Sequence, residues 1–242
     1  MQEKSVSQAI DFRRSVRIYD SEKPIEIDKV KKCITQATLA PSSSNMQLWE
    51  FHHIVSKNKI QQLAKSCFNQ PAAKTAKQLV VVLVRKDLWK NRLNSNINNL
   101  KTSLSKIKNL DPVKKKKALH YYEKLVPMIY SDFFGIKSIF KKLYVKIVGL
   151  YKPMYQEVGV SDVRVIAHKS AALAAQSFMI SMAGIGYDTC PMEGFDSNRI
   201  KKDLDVSSKS EISMIIACGI RKKDGVYGKR FRVPLEEIYH IH

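Results

Sequence analysis

HKSAALAAQSFMISMAGIGYDTCPMEGFD, residues 168–196, is the stretch whose reading decides the fold. Ala171, Ala172, Leu173, Ala174, Ala175, Phe178, Met179, Ile180, Met182 and Ala183 leave almost no polar stripe at helical spacing, which predicts a helix buried on every side. Ser170, Ala171, Ala174, Ala175, Ser177 and Ser181 are small enough to let another backbone approach closely. Gly184 and Gly186 stop the helix, because glycine takes the left-handed conformation of a C-terminal cap. Cys190-Pro191-Met192-Glu193-Gly194-Phe195 then reads as a short rigid turn carried by a buried element. Such a loop suits chemistry, although these residues alone fit an ordinary turn equally well.

Working outward, residues 78–85 (QLVVVLVR) and 211–220 (EISMIIACGI) read as strands apolar enough to be buried on both faces, and 50–55 as a third. Helices are expected at 5–14, 27–39, 57–67 and 196–204, the last capped by Asp196. Strands separated by helices without strict βαβ repetition predict an α+β fold, a sheet covered by helices. With 44% hydrophobic residues in 242, the chain can bury a large core as one domain. Residues 170–187 approach bilayer-spanning length, but their alanines and serines are too weakly apolar for that role. The first fifteen residues lack the apolar block of a signal peptide, so a cytoplasmic protein is expected. Cys33, Cys67, Cys190 and Cys218 are scattered without a C-x-x-C pair, which fits reduced structural thiols better than a disulfide or zinc framework.

The formal net charge is +20 and it is regional: residues 85–159 hold 17 Lys and Arg against 5 Asp and Glu, or +12 of that total. Such a balance asks for an anionic partner or surface. This middle part reads as a basic helical insertion at about 91–158. Within it, a helix at 133–151 places Ile136, Ile139, Phe140, Leu143, Ile147 and Leu150 on one face, with Lys137, Lys141, Lys142 and Lys146 off it. A cover or lid over a ligand site and a contact with an anionic membrane surface both fit that pattern. Nucleic acid has charge alone in its favour, with no aromatic platform or recognised module, so no nucleic-acid partner is expected. No G-x-G-x-x-G, P-loop, G-x-S-x-G or H-E-x-x-H occurs, which removes support for a hydrolase or a metalloenzyme.

Arg13-Arg14-Ser15-Val16-Arg17 groups donors suited to an anion. Ala40-Pro41-Ser42-Ser43-Ser44-Asn45-Met46-Gln47-Leu48-Trp49 is a polar loop able to wrap a ligand. Together with Asn69-Gln70-Pro71 ahead of a valine-rich strand, the alanine-rich helix, Gly186 through Phe195, and Arg230-x-Arg232-x-Pro234, these motifs resemble the FMN-dependent nitroreductase family in order and spacing. The resemblance covers about 5–85 and 160–239 and leaves the basic middle unmatched. Leu48 departs from it, since many relatives have proline there.

The resemblance implies a mixed sheet with helices on both faces and an intertwined homodimer with two FMN sites at the subunit interface. It implies that Arg13, Arg14 and Ser15 hold the FMN phosphate with Arg230 and Arg232, and that Arg17 faces the N1/O2 edge of the ring. Asn69 or Gln70 would meet the pyrimidine edge. Pro41, Ser42, Ser43, Asn45 and Gln47 would reach the flavin from the other subunit, and Pro191, Met192, Glu193 and Gly194 would line a ring face. The implied activity is an NAD(P)H oxidoreductase that takes hydride from NADPH or NADH and passes it to a small-molecule acceptor, a nitroaromatic, a quinone or a related electrophile. The alternatives are a basic membrane-surface-associated flavoprotein and a specialised dehalogenating or ring-cleaving relative of the family. No protein nucleophile or general acid is expected, because the flavin carries the chemistry.

Overall fold

The structure, a computed structural model, describes residues 3–109, 111–131 and 136–242, without the side chains of 136 and 137. β2 (Gln78–Val84) is its spine: Leu79 through Val84 are all fully buried. On one side β2 pairs with β1 (Trp49–Ile54), on the other with β4 (Glu211–Gly219), and β3 (Asp188–Met192) closes the edge beyond β4. The order is β1-β2-β4-β3 and every ladder is antiparallel. A single isolated parallel bridge, Ser15 with Thr189, adds the other orientation at the β3 edge.

Alternation along this apolar strand sends successive side chains to opposite faces, so both faces need cover. Val80, Val82 and Val84 meet α2 (Ile27–Ala37) and α9 (Val160–Gly184) through Val30, Cys33, Ala171, Ala174 and Phe178. Leu79, Val81 and Leu83 meet α3 (Lys57–Ser66), α4 (Pro71–Thr75) and α10 (Ser197–Asp203) through Ile60, Leu63, Ala72 and Ile200. The expected α+β architecture is therefore present as helix, sheet and helix layers. Asp196 caps α10 as its sequence suggests, accepting from the amides of Asn198 and Arg199 at 3.1 Å each. All four cysteines are free and buried, and burial pushes the thiols of Cys33 and Cys67 up to about 11. Among the described residues, no helix is long and apolar enough to cross a membrane.

Three expectations need correction. The central helix begins at Val160, where the Asp162 carboxylate accepts from the Gly159 amide at 2.9 Å, and it is not buried all round. Leu173 and Val165 are half exposed, because this chain covers only the stripe turned to the sheet. The expected turn at 190–195 starts late: Cys190, Pro191 and Met192 pair with Ala217, Ile216 and Ile215 as strand. Pro191 is tolerated there because β3 is an edge strand whose outer side is bridged only at Thr189 among the described residues. Finally, past α5 (Trp89–Ser105), α6 (Pro112–His120) and α7 (Val126–Tyr130), the 133–151 helix is α8 (Ile136–Val148), and it does not cover the core with its apolar face. Val145 and Ser138 face inward while Ile139, Phe140, Leu143, Ile147 and Leu150 are exposed. Phe133 and the side chains of Ile136 and Lys137 lie outside the described residues.

The start of β4 carries a charged junction with α9. The Glu211 carboxylate accepts from Lys86 at 2.9 Å, from His168 at 3.1 Å and from Arg164. Burial raises its pKa, but the three hydrogen bonds outweigh that and hold it at about 2, below an ordinary 4.5. A depressed folded-state value stabilises the fold above the unfolded value and loses that contribution as pH falls through the folded one. Discounted for partial exposure, about 1–2 kcal/mol is expected to disappear between pH 4.5 and pH 2. Melting temperatures of the parent and Glu211→Gln should differ near neutrality and converge over that window. Parallel curves would remove this role from Glu211.

Candidate functional site

The arginine group is held by what flanks it. α1 (Val6–Phe12) starts on a capping box, Ser5 and Gln8 each bonding the other's backbone amide, and ends at Phe12. Arg13 leaves the helix in extended backbone. Val16 is fully buried and donates its amide to Thr189 at 3.2 Å, while the Arg17 amide donates to Gly225 at 2.7 Å. A Cβ on Gly225 would lie 2.2 Å from the Ile18 carbonyl, so only glycine allows the two segments this close. Tyr19 anchors the end of the segment, its buried hydroxyl donating to Ala217 at 2.9 Å.

Arg13, Arg14, Ser15 and Arg17 then line a cavity of about 260 Å³ with Lys229, Arg230 and Arg232 of the C-terminal segment. Six cations face it and, among the described residues, no carboxylate does. Backbone carbonyls aim the guanidinium groups. Arg14 Nη2 donates to Gly228 at 3.0 Å, and Arg230 Nη2 donates to Asp11 and Arg13 at 2.8 Å each. Gly228 turns the tail with φ +67, a left-handed backbone that favours glycine. Burial, followed by the charges of Arg230 and Arg232, lowers the Arg13 pKa. That is the mark of a cation lacking a counter-ion, and an anion in the cavity would relieve it.

Behind the arginines sits a pair the motifs did not single out. Asp188, 3% exposed, accepts from the Arg221 amide at 2.7 Å, Nε at 2.9 Å and Nη2 at 2.5 Å. Arg221 Nη2 also donates to the Phe12 carbonyl at 2.9 Å, and the guanidinium lies 4.4 Å from the Phe12 ring centroid. This clamp ties the end of α1 to β3 and so places Arg13. An aspartate inside an apolar strand was the signal that could have found it.

Gln70 and the 191–194 segment do come together. Gln70 Nε2 donates to the Gly194 carbonyl at 2.6 Å, and a Cβ on Gly194 would stand 3.3 Å from that nitrogen. Asn69, with φ 54, is exposed, and its side chain has no hydrogen bond among the described residues. Glu193 and Gly194 are exposed and Pro191 is half-buried. Met192 is a correction: strand alternation turns its side chain into the core with Cys190, so it lines no surface.

The 41–47 loop stands apart from these groups within one chain. Ser44, Asn45 and Gln47 hold left-handed backbone at φ 52, 51 and 48, a strained arrangement costing of order 1 kcal/mol per residue. Hydrogen bonds hold it. Asn45 and Asn96 exchange bonds of 3.1 and 2.8 Å, Ser44 bonds Tyr121 at 2.7 Å, and Ser170 accepts from the Ser43 amide at 3.3 Å. Ser42 in turn accepts from the Gln47 amide at 3.1 Å. Met46 and Leu48 pack into the α2 and α9 layer, whereas Val16 and Cys190 beside the arginines belong to the opposite layer. Among the described residues no hydrogen bond joins the loop or Pro41 to the arginine cavity. The tail beyond Gly228 is exposed throughout, with Phe231, Leu235, Ile238 and Ile241 turned to solvent.

The three-layer α+β fold defines a class, and known proteins share that fold. The sequence profile of the nitroreductase family matches residues 10–220, and the chain belongs to that family. It is 24% identical to a Bacillus subtilis protein named "Putative NAD(P)H nitroreductase MhqN", over 94% of each chain. Among solved structures it resembles "putative nitroreductase ydfN" of Bacillus subtilis, with a TM-score of 0.73, 21% identity and 98% of both chains covered. It also resembles a "putative nitroreductase in complex with FMN" from Exiguobacterium sibiricum, with a TM-score of 0.69 and 22% identity over 100% of this chain and 99% of that one.

Proposed function

We propose that the chain is an FMN-dependent NAD(P)H oxidoreductase that reduces nitroaromatic, quinone or related electrophilic acceptors in a ping-pong cycle. The observation that carries this is the cavity lined by six cations and, among the described residues, no carboxylate. Arg13, Arg14, Ser15, Arg230 and Arg232 fit a phosphate dianion, since guanidinium and hydroxyl donors match its oxygens. Arg17, on the same segment, is suited to the anionic edge of a reduced ring, where a fixed positive charge favours reduction. Asn69, exposed and without a side-chain hydrogen bond among the described residues, would offer its amide to the pyrimidine edge, with Gln70 beside it bonded to Gly194. Pro191, Glu193 and Gly194 would form a wall against the ring. Bound FMN would supply the hydride-carrying N5, and the protein would contribute placement, charge and exclusion of water.

The same reading takes the active form as a homodimer. The loop carrying Pro41, Ser42, Ser43, Asn45 and Gln47 follows the layer opposite the arginines, and a second copy would bring the two sets onto one flavin. The exposed apolar side chains of the tail and the half-exposed Leu173 support such a partner.

An absorption spectrum of the purified protein tests the reading. A yellow protein near one FMN per chain that bleaches on anaerobic addition of NADPH or NADH is expected. A colourless protein that cannot be reconstituted with FMN would overturn it.

A further inference from the structure

α8 is mounted with its apolar stripe away from the protein. Its inward face is partly polar: Ser138 and Val145 are buried, and Lys141 Nζ donates to the carbonyls of Ile129 and Ser131, at 3.3 and 2.7 Å, at the end of the preceding helix. Lys142 pairs with Asp162 of α9 at 3.9 Å. These contacts fix the rotation of the helix. Ile139, Phe140, Leu143, Tyr144 and Ile147 consequently point outward, followed by Leu150 and Tyr151 at 78% and 85% exposure. Thirteen residues of helix make a stripe about 20 Å long.

A row of large side chains on that scale marks a contact surface, and its surroundings choose the occupant. Residues 136–152 contain five lysines and no aspartate or glutamate. Lys146 and Lys152 are exposed, and among the described residues neither has an acidic partner. Lys146 lies on the helix beside the stripe and Lys152 follows just past its end, while Tyr144 and Tyr151 have the amphipathic rings that settle at headgroup level. A second copy placed on this face would bring like charges together, whereas an anionic lipid surface would neutralise them. We infer that the outer face of α8 docks the protein on an anionic bilayer, lying parallel to its surface with Phe140, Leu143, Ile147 and Leu150 in the acyl boundary. The docking is independent of flavin chemistry. It would also bring the enzyme to acceptors dissolved in lipid.

Co-sedimentation of the 242-residue protein as purified tests this, using vesicles of phosphatidylglycerol with phosphatidylcholine and vesicles of phosphatidylcholine alone. Binding to the anionic vesicles and little to the neutral ones is expected. Lys146→Gln and Lys152→Gln should each weaken partitioning about fivefold. Phe140→Ser with Leu143→Ser should abolish it while leaving flavin content unchanged, since both side chains are already in solvent. Equal binding to both vesicle types, or none, would overturn the inference. So would a lipid-free mass that falls from a higher oligomer when Phe140 and Leu143 are replaced, because a second copy would then own the face.

Discussion

Arg13→Ala is expected to purify with little flavin and to bind added FMN about 10–100-fold more weakly than the parent, without losing stability in the flavin-free state. A hydrogen bond to a charged group contributes about 1.5–3 kcal/mol, and about 1.4 kcal/mol is tenfold in affinity. The flavin-free side of the comparison makes this substitution informative. Burial and the neighbouring cations of Arg230 and Arg232 already work against the Arg13 charge, so removing it relieves repulsion. Thermal unfolding without FMN should therefore occur at the same temperature or higher, while the stabilisation by saturating FMN shrinks. Riboflavin, which lacks the phosphate, should bind the parent and the variant alike. Unchanged FMN affinity would remove the phosphate from this cavity, whereas an equal loss for riboflavin would place Arg13 against the ring instead.

The second large effect is on stability. Arg221→Met should cost about 3–5 kcal/mol, because it leaves the Asp188 carboxylate buried without its cation. Against a total of about 5–15 kcal/mol for a native domain, that is a severe loss. Adding Asp188→Asn to Arg221→Met should recover part of it, since a neutral amide tolerates the apolar site better than an unpaired charge. Urea unfolding of the parent and both variants reads the difference directly. A single variant within about 1 kcal/mol of the parent would show that the pair is not needed to hold α1 against β3. The FMN affinity of whatever folds should fall as well, because the Phe12 carbonyl, one residue before Arg13, loses its anchor.

The layers of the fold were legible because hydrophobic pattern survives in a linear string. An uninterrupted apolar run such as residues 79–84 has no polar face to offer water, so a central strand follows from it directly. Asp196 ahead of a short helix was equally plain, since capping involves residues only two or three apart. The position of β3 was harder. Cys190-Pro191-Met192 has local turn character, and only the long-range pairing with Ala217, Ile216 and Ile215 makes it strand. That same pairing, by alternation, withdrew Met192 from the candidate site.

The chain by itself named the pieces of a candidate site: arginines, amides and a polar loop, in an order that resembles a known family. Tertiary structure decided how those pieces are grouped. Arg13, Arg14, Arg17, Arg230 and Arg232 meet at one cavity because Arg221 and Gly225 draw together segments more than 200 residues apart in sequence. The 41–47 loop falls in the opposite layer because Met46 and Leu48 bury against α2 and α9. The rotation of α8 was likewise beyond the sequence: its amphipathic pattern sets which residues share a face but not which way that face turns. Lys141 and Lys142, holding the helix by their charged ends, point it outward.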